Sequence, residues 1–163
     1  MKHENTNIPK KIISLIVFII ICEAVGIIGG LATYSSLGSW YADLQKPSLT
    51  PPNWIFGPVW TSLYALMGIS AWLIYHSKSE QKQRALTIFF TQLFINFIWS
   101  FLFFGLKSTL WGFVGIIALL LSIILTMIKF HKISKWAFGL LVPYLLWVSF
   151  ATYISGELWY LNR

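Results

Sequence analysis

The sequence predicts an all-α integral membrane protein: a bundle of five transmembrane helices, with a proline- and tryptophan-rich loop capping it between the first two. Three observations predict this class. Only 10% of the residues are charged, 57% are hydrophobic, and mean hydropathy is +0.71. A soluble domain carries about 25% charged residues, so this chain has too little charge to solvate a globular surface. The apolar residues also gather into five runs, each close to the ~20 residues that a helix needs to cross ~30 Å of hydrocarbon. Finally, no run alternates polar and apolar residues as a barrel strand would, and an open sheet edge is not tolerated in lipid.

The runs cover residues 12–34, 54–75, 85–106, 110–128 and 136–155, and residues 1–163 are read as one transmembrane domain. The first follows Lys10 and Lys11, contains Glu23 and has no small-x-small cleavage site. It is therefore read as a retained helix and not as a signal peptide. Residues 35–53 form the first connection, where Pro47, Pro51 and Pro52 oppose helix. The second span ends at the polar stretch HSKSEQKQR, the third at a short KST turn, and the fourth at KFHKISK. Nine of the twelve lysines and arginines fall on the side of the N-terminus and the second and fourth connections. This bias places the N-terminus inside and the C-terminus outside, as five spans require, and the closest fit is a bacterial cell membrane. The formal charge of +7 is thereby a topology signal, and no nucleic-acid partner is expected. Cys22 is the only cysteine, which excludes an internal disulfide.

Polar and aromatic residues at membrane depth mark the functional candidates. Trp40, Trp54, Trp111, Trp136 and Trp159 lie near span ends, where indoles form an interfacial belt. Trp99 and Trp147 lie near mid-span, and each needs a partner for its N–H. In the third span Gln92, Asn96, Trp99 and Phe103 share a face. Such a face either ties helices together or lines a pocket whose few polar groups orient an apolar guest. The fifth span repeats the pattern with Tyr144, Trp147, Ala151 and Ser155, and Pro143 is expected to kink it. The second span aligns Trp60, Tyr64, Met67 and Ala71. The first aligns Gly26, Gly30 and Tyr34, a spacing that permits close helix contact. Glu23 is an acid near mid-membrane; it either carries protons in a transporter or is protonated and hydrogen-bonded. His3, His76 and His131 sit at the inside edge, and Glu4, Asp43, Glu80 and Glu157 lie outside the spans or at their ends. No metal site, hydrolytic constellation or axial haem histidine is expected.

The stretch WYADLQKPSLTPPNWIFGPVW, residues Trp40 to Trp60, closely resembles the signature of the translocator proteins. These are also called tryptophan-rich sensory proteins or peripheral-type benzodiazepine receptors. QLFINFIWSFLFFGLK and VPYLLWVSFATY extend the resemblance toward the C-terminus. It implies a membrane receptor that binds porphyrins and benzodiazepine-like drugs in an aromatic cavity. The tetrapyrrole would be a ligand and not a prosthetic group, and no cofactor would be required. The implied pocket residues are Tyr41, Pro51, Phe56, Trp60, Tyr64, Asn96, Trp99, Trp147 and Ala151. Trp60 and Trp147 match tryptophans associated with light-dependent porphyrin breakdown, the one catalytic role implied. A homodimer is implied as well, although the third span lacks the small-x-x-x-small spacing that packs some members. The animal sterol motif falls on Gly156 and Tyr160 here, so cholesterol binding is not carried over. Four-span multidrug transporters also place an acid in their first helix, and Glu23 supports a transporter as the alternative.

Overall fold

A computed structural model describes residues 7–163. The elements are α1 (Asn7–Leu37), α2 (Trp40–Asp43), α3 (Asn53–Tyr75), α4 (Lys82–Ser100), a π-helical turn (Phe101–Gly105), α5 (Thr109–His131) and α6 (Lys135–Leu161). The five long helices α1, α3, α4, α5 and α6 are each long and apolar enough to span, and there are no strands among the described residues. The protein is a multi-pass membrane protein of the expected class. Lys2, His3 and Glu4 lie outside the described residues. The short helix α2 was not expected inside the first connection. α6 continues beyond residue 155 to Leu161, because Leu158 is buried and Asn162 closes the last turn through Leu158 O at 2.8 Å. Pro143 lies within α6, which runs on through it as one helix.

The long helices form a ring in the order α1, α3, α6, α5, α4, and α3 also meets α4 across the middle. Met67, Ala71, Phe89, Ile116, Leu119, Ile123 and Val148 fill the centre and are fully buried. At the end that carries the N-terminus, the inner end in the expected orientation, α1 is tied to α3. The Trp72 indole N–H donates to Lys11 O and Ser14 Oγ, each at 3.1 Å, and Ser14 Oγ lies 2.8 Å from His76 Nε2. Farther out comes a close approach to backbone, where a Cβ added at Gly68 would sit 2.7 Å from Ile19 Cα. The spacing of Gly26 and Gly30 permits close helix contact, and the structure has it at Gly26 alone. Gly26 lies beneath the Tyr64 ring of α3, where an added Cβ would run into a ring carbon, and Gly30 has nothing within 4 Å. The two helices touch as far out as Gly26 and part beyond it, so Gly30 makes space instead of contact.

The outer end is roofed by aromatic residues. In the π-helical turn, Leu106 N–H donates to Phe101 O at 2.8 Å and Ser108 N–H to Phe103 O at 3.2 Å. The wider turn carries an extra residue, so Phe103 and Phe104 both face inward. They pack with Tyr41, Ile154 and Leu158 in a second small core. Burial pushes the Tyr41 hydroxyl above its ordinary pKa. Ser36 Oγ donates to Phe104 O at 2.9 Å, which ties the end of α1 to this turn. The segment after α2 is clasped from α6: Gln45 N–H donates to Asn162 Oδ1, and Asn162 Nδ2 to Gln45 O, both at 2.9 Å.

Two outcomes follow from this packing. Gly68→Ala should destabilise the protein by about 1–2 kcal/mol through overpacking against backbone. Gly30→Ala should be neutral or stabilising by up to about 1 kcal/mol, because only helix propensity changes; thermal unfolding in detergent reads both. The second outcome concerns pH. Burial, Lys11 and Lys82 lower the pKa of His76 below its ordinary value of 6.5. A depressed histidine contributes its stability above that ordinary value and loses it as pH falls through the lowered one. Midpoint temperature should therefore drop between about pH 7 and 5, and His76→Gln should flatten that slope.

Candidate functional site

The parted outer halves of α1 and α3 enclose a cavity of about 530 Å³, completed by the end of α4, the π-helical turn and α2. Its deepest wall residues are Glu23 on α1 and Tyr64 on α3. Ile27, Gly30 and Thr33 continue the α1 side; Phe56, Gly57 and Thr61 continue the α3 side; Ser100 and Phe104 form the back, with Tyr41 at the roof. Ile27, Tyr34 and Trp54 line the same cavity yet are 65%, 83% and 73% exposed. They mark an opening between α1 and α3.

Local sequence explains why α3 presents this wall. Pro51 and Pro52 hold the chain extended until α3 begins at Asn53. Pro58 has no N–H, so one carbonyl in the first turns is left free, and Pro58 O itself accepts from Ser62 Oγ at 2.9 Å. Trp60 is the hub of the aromatic side: its ring lies 5.6 Å from Tyr64, 6.1 Å from Trp99 and 6.2 Å from Tyr144, centroid to centroid. Trp99 is fixed by its indole N–H, which donates to Gly112 O at 3.0 Å.

Beneath the cavity runs a buried polar tie between three helices. Tyr64 donates its hydroxyl to Asn96 Oδ1, while Asn96 Nδ2 and Gln92 Nε2 donate to the Tyr144 hydroxyl at 2.8 and 2.7 Å. Asn96 and Gln92 are 1% and 0% exposed and are absent from the cavity wall. The two amides act as interhelical ties, and Tyr64 is the polar group that reaches the cavity.

A narrower crevice of about 50 Å³ lies toward α6, between Pro51, Trp147, Ala151 and Ser155. Tyr41, Phe56, Trp99 and Phe104 line both spaces and form the partition. The nine expected pocket residues therefore divide. Tyr41, Phe56 and Trp99 face both spaces, Trp60 and Tyr64 the large one, and Pro51, Trp147 and Ala151 the crevice, while Asn96 sits behind Tyr64. Trp147 packs edge-on to Phe56 at 6.1 Å, and its buried Nε1 has no partner among the described residues. Sequence reasoning missed Phe104 and Ser100, because the π-helical turn that aims Phe104 leaves no periodic signal. It placed Trp54 in the interfacial belt, whereas Trp54 stands at the cavity mouth. Among the described residues, no group of three or more His, Cys, Asp or Glu side chains could hold a metal.

Comparisons with known proteins agree with this architecture. The family model described as the TspO/MBR family matches residues 18–161. The tryptophan-rich protein TspO of Archaeoglobus fulgidus is 43% identical over 152 residues, covering 93% of this chain and 99% of that protein. The protein of the same name from Chlorobaculum tepidum is 41% identical, covering 94% and 98%. The human translocator protein is 35% identical, covering 74% and 73%.

The polar tie sets an expected outcome. Tyr144→Phe leaves two buried amide groups without their acceptor and should destabilise the protein by about 1–3 kcal/mol. Thermal unfolding in detergent would measure it, and Tyr153→Phe, on an exposed site, should show no comparable loss.

Proposed function

The chain belongs to the TspO/MBR family, and on that premise we propose that it is a membrane receptor or sensor for flat, largely apolar molecules. Protoporphyrin-type tetrapyrroles and benzodiazepine-like drugs are the proposed guests. The observation that carries this reading is the cavity itself, with Trp54, Phe56, Trp60 and Trp99 on its walls and an opening between α1 and α3. Pockets of ~300–1,000 Å³ with mostly apolar walls suit ligands of this size. Ring contacts contribute about 0.5–1.5 kcal/mol each beyond area burial. The tetrapyrrole is a ligand in this reading and not a prosthetic group.

Slow light-dependent breakdown of a bound porphyrin is part of the same proposal. The indole of Trp60 or Trp147 would exchange an electron with the excited guest or react with dioxygen beside it, dioxygen being the oxidant. The setting is a bacterial cell membrane, N-terminus inside and C-terminus outside, with the chain as a homodimer. A second reading, transport of small molecules or protons, is favoured by one observation: Glu23 lines the cavity at membrane depth.

Tryptophan fluorescence in the dark, titrated with protoporphyrin IX, tests the first reading. Saturable, near-stoichiometric quenching is expected, with affinity about 10-fold weaker in a Trp60→Phe/Trp147→Phe double variant, a loss of roughly 1.4 kcal/mol. Linear quenching, or quenching identical in the variant, would mean that the dye only partitions into detergent. Illumination of the complex then tests the chemistry, and loss of proton-coupled uptake in Glu23→Gln with porphyrin binding kept would favour transport.

A further inference from the structure

Among the described residues, Glu23 is the one carboxyl on the cavity wall, and no lysine or arginine lines it. The other wall residues are neutral, and eight of them are aromatic. One turn farther out, Gly26 lies under the Tyr64 ring, and the Tyr64 hydroxyl is already committed to Asn96. The α1 wall runs from Glu23 to Tyr34, roughly 16 Å of helix at ~1.5 Å per residue. The acid therefore sits at the deep end and the opening at the shallow end.

An ionised carboxyl at this depth is costly when it has no counter-charge. The wall supplies none, and a cationic guest would supply it. The same aromatic faces that stack on a flat body also attract cations. A guest carboxylate at the floor would meet a like charge and be rejected.

We propose that Glu23 sets the charge preference of the cavity: it selects flat apolar guests bearing a protonated amine or another cationic nitrogen, and seats that nitrogen at the cavity floor. This rests on the reading of the cavity as a guest site. A guest with an apolar body and carboxylates would enter with the carboxylates left at the mouth, away from Glu23. Glu23 thus adds an orientation and a ligand class that the aromatic walls alone do not specify.

Three pyrenes of matched shape test it: pyrenemethylammonium, pyrenemethanol and pyrenecarboxylate, each titrated against the full chain in zwitterionic detergent with tryptophan quenching as readout. The ammonium compound should bind about 10-fold tighter than the alcohol and the carboxylate weaker still. Glu23→Gln should bring the ammonium within about 2-fold of the alcohol, while Glu23→Asp should keep the preference. Partition into detergent is common to all three proteins, so the ratio between proteins isolates the wall. An unchanged ammonium-to-alcohol ratio in Glu23→Gln overturns the proposal. So does equal affinity of the wild type for ammonium and carboxylate, even if the glutamine variant does not fold. If the alcohol itself shows no saturable binding, or Trp60→Leu leaves it untouched, the guest-site reading fails and the Glu23 proposal falls with it. Saturable binding of the alcohol without charge preference sinks only the latter.

Discussion

The hydroxyl–amide tie of Tyr64, Asn96, Gln92 and Tyr144 is the interaction on which the outer half of the bundle depends. Lipid tails are as apolar as leucine, so helices in a bilayer gain little from burying apolar faces against each other. Packing and a few polar contacts hold them. Here one cluster joins α3, α4 and α6, three of the five spans, at a depth where water does not compete. Because Tyr64 spends its proton on Asn96, its ring is held in one place. That ring covers Gly26 and backs the Trp60 indole, so the tie below fixes the aromatic surface above.

The same logic explains why the cavity lies where it does. α1 is pinned to α3 at the inner end by Trp72 and Ser14, and pressed against it at Gly68. Farther out the two helices meet again where Gly26 lies under the Tyr64 ring, and then they part. There α1 is held instead by Ser36 to the π-helical turn, so it leans on the roof and leaves a gap beside α3. Gly68 on α3 and Gly26 on α1 make the contacts, and Gly30 leaves the void.

The bundle was legible in the sequence because length and hydropathy are set by bilayer thickness alone. The helix faces carrying Trp60 and Tyr64, or Gln92 and Asn96, were legible too, since one polar residue per turn at membrane depth has few places to go. Two kinds of feature were not. The partner of each small residue depends on how helices cross: Gly26 and Gly30 share the familiar spacing, yet only Gly26 has a contact, and Gly68 makes one that no spacing announces. The π-helical turn adds one residue to a helix without changing its composition, so Phe104 on the wall, and the partition between cavity and crevice, were invisible. The division of Asn96 from the wall also needed coordinates, because periodicity assigns a face but not a depth behind it.

The clasp between Gln45 and Asn162 joins residues 117 positions apart, and the roof core likewise needs Ile154 and Leu158 from the same late helix. A chain is made and inserted from its N-terminus. The tryptophan- and proline-rich segment is therefore made while its fastening is still unsynthesised. The order of assembly is thus written into connectivity: walls first, lid last.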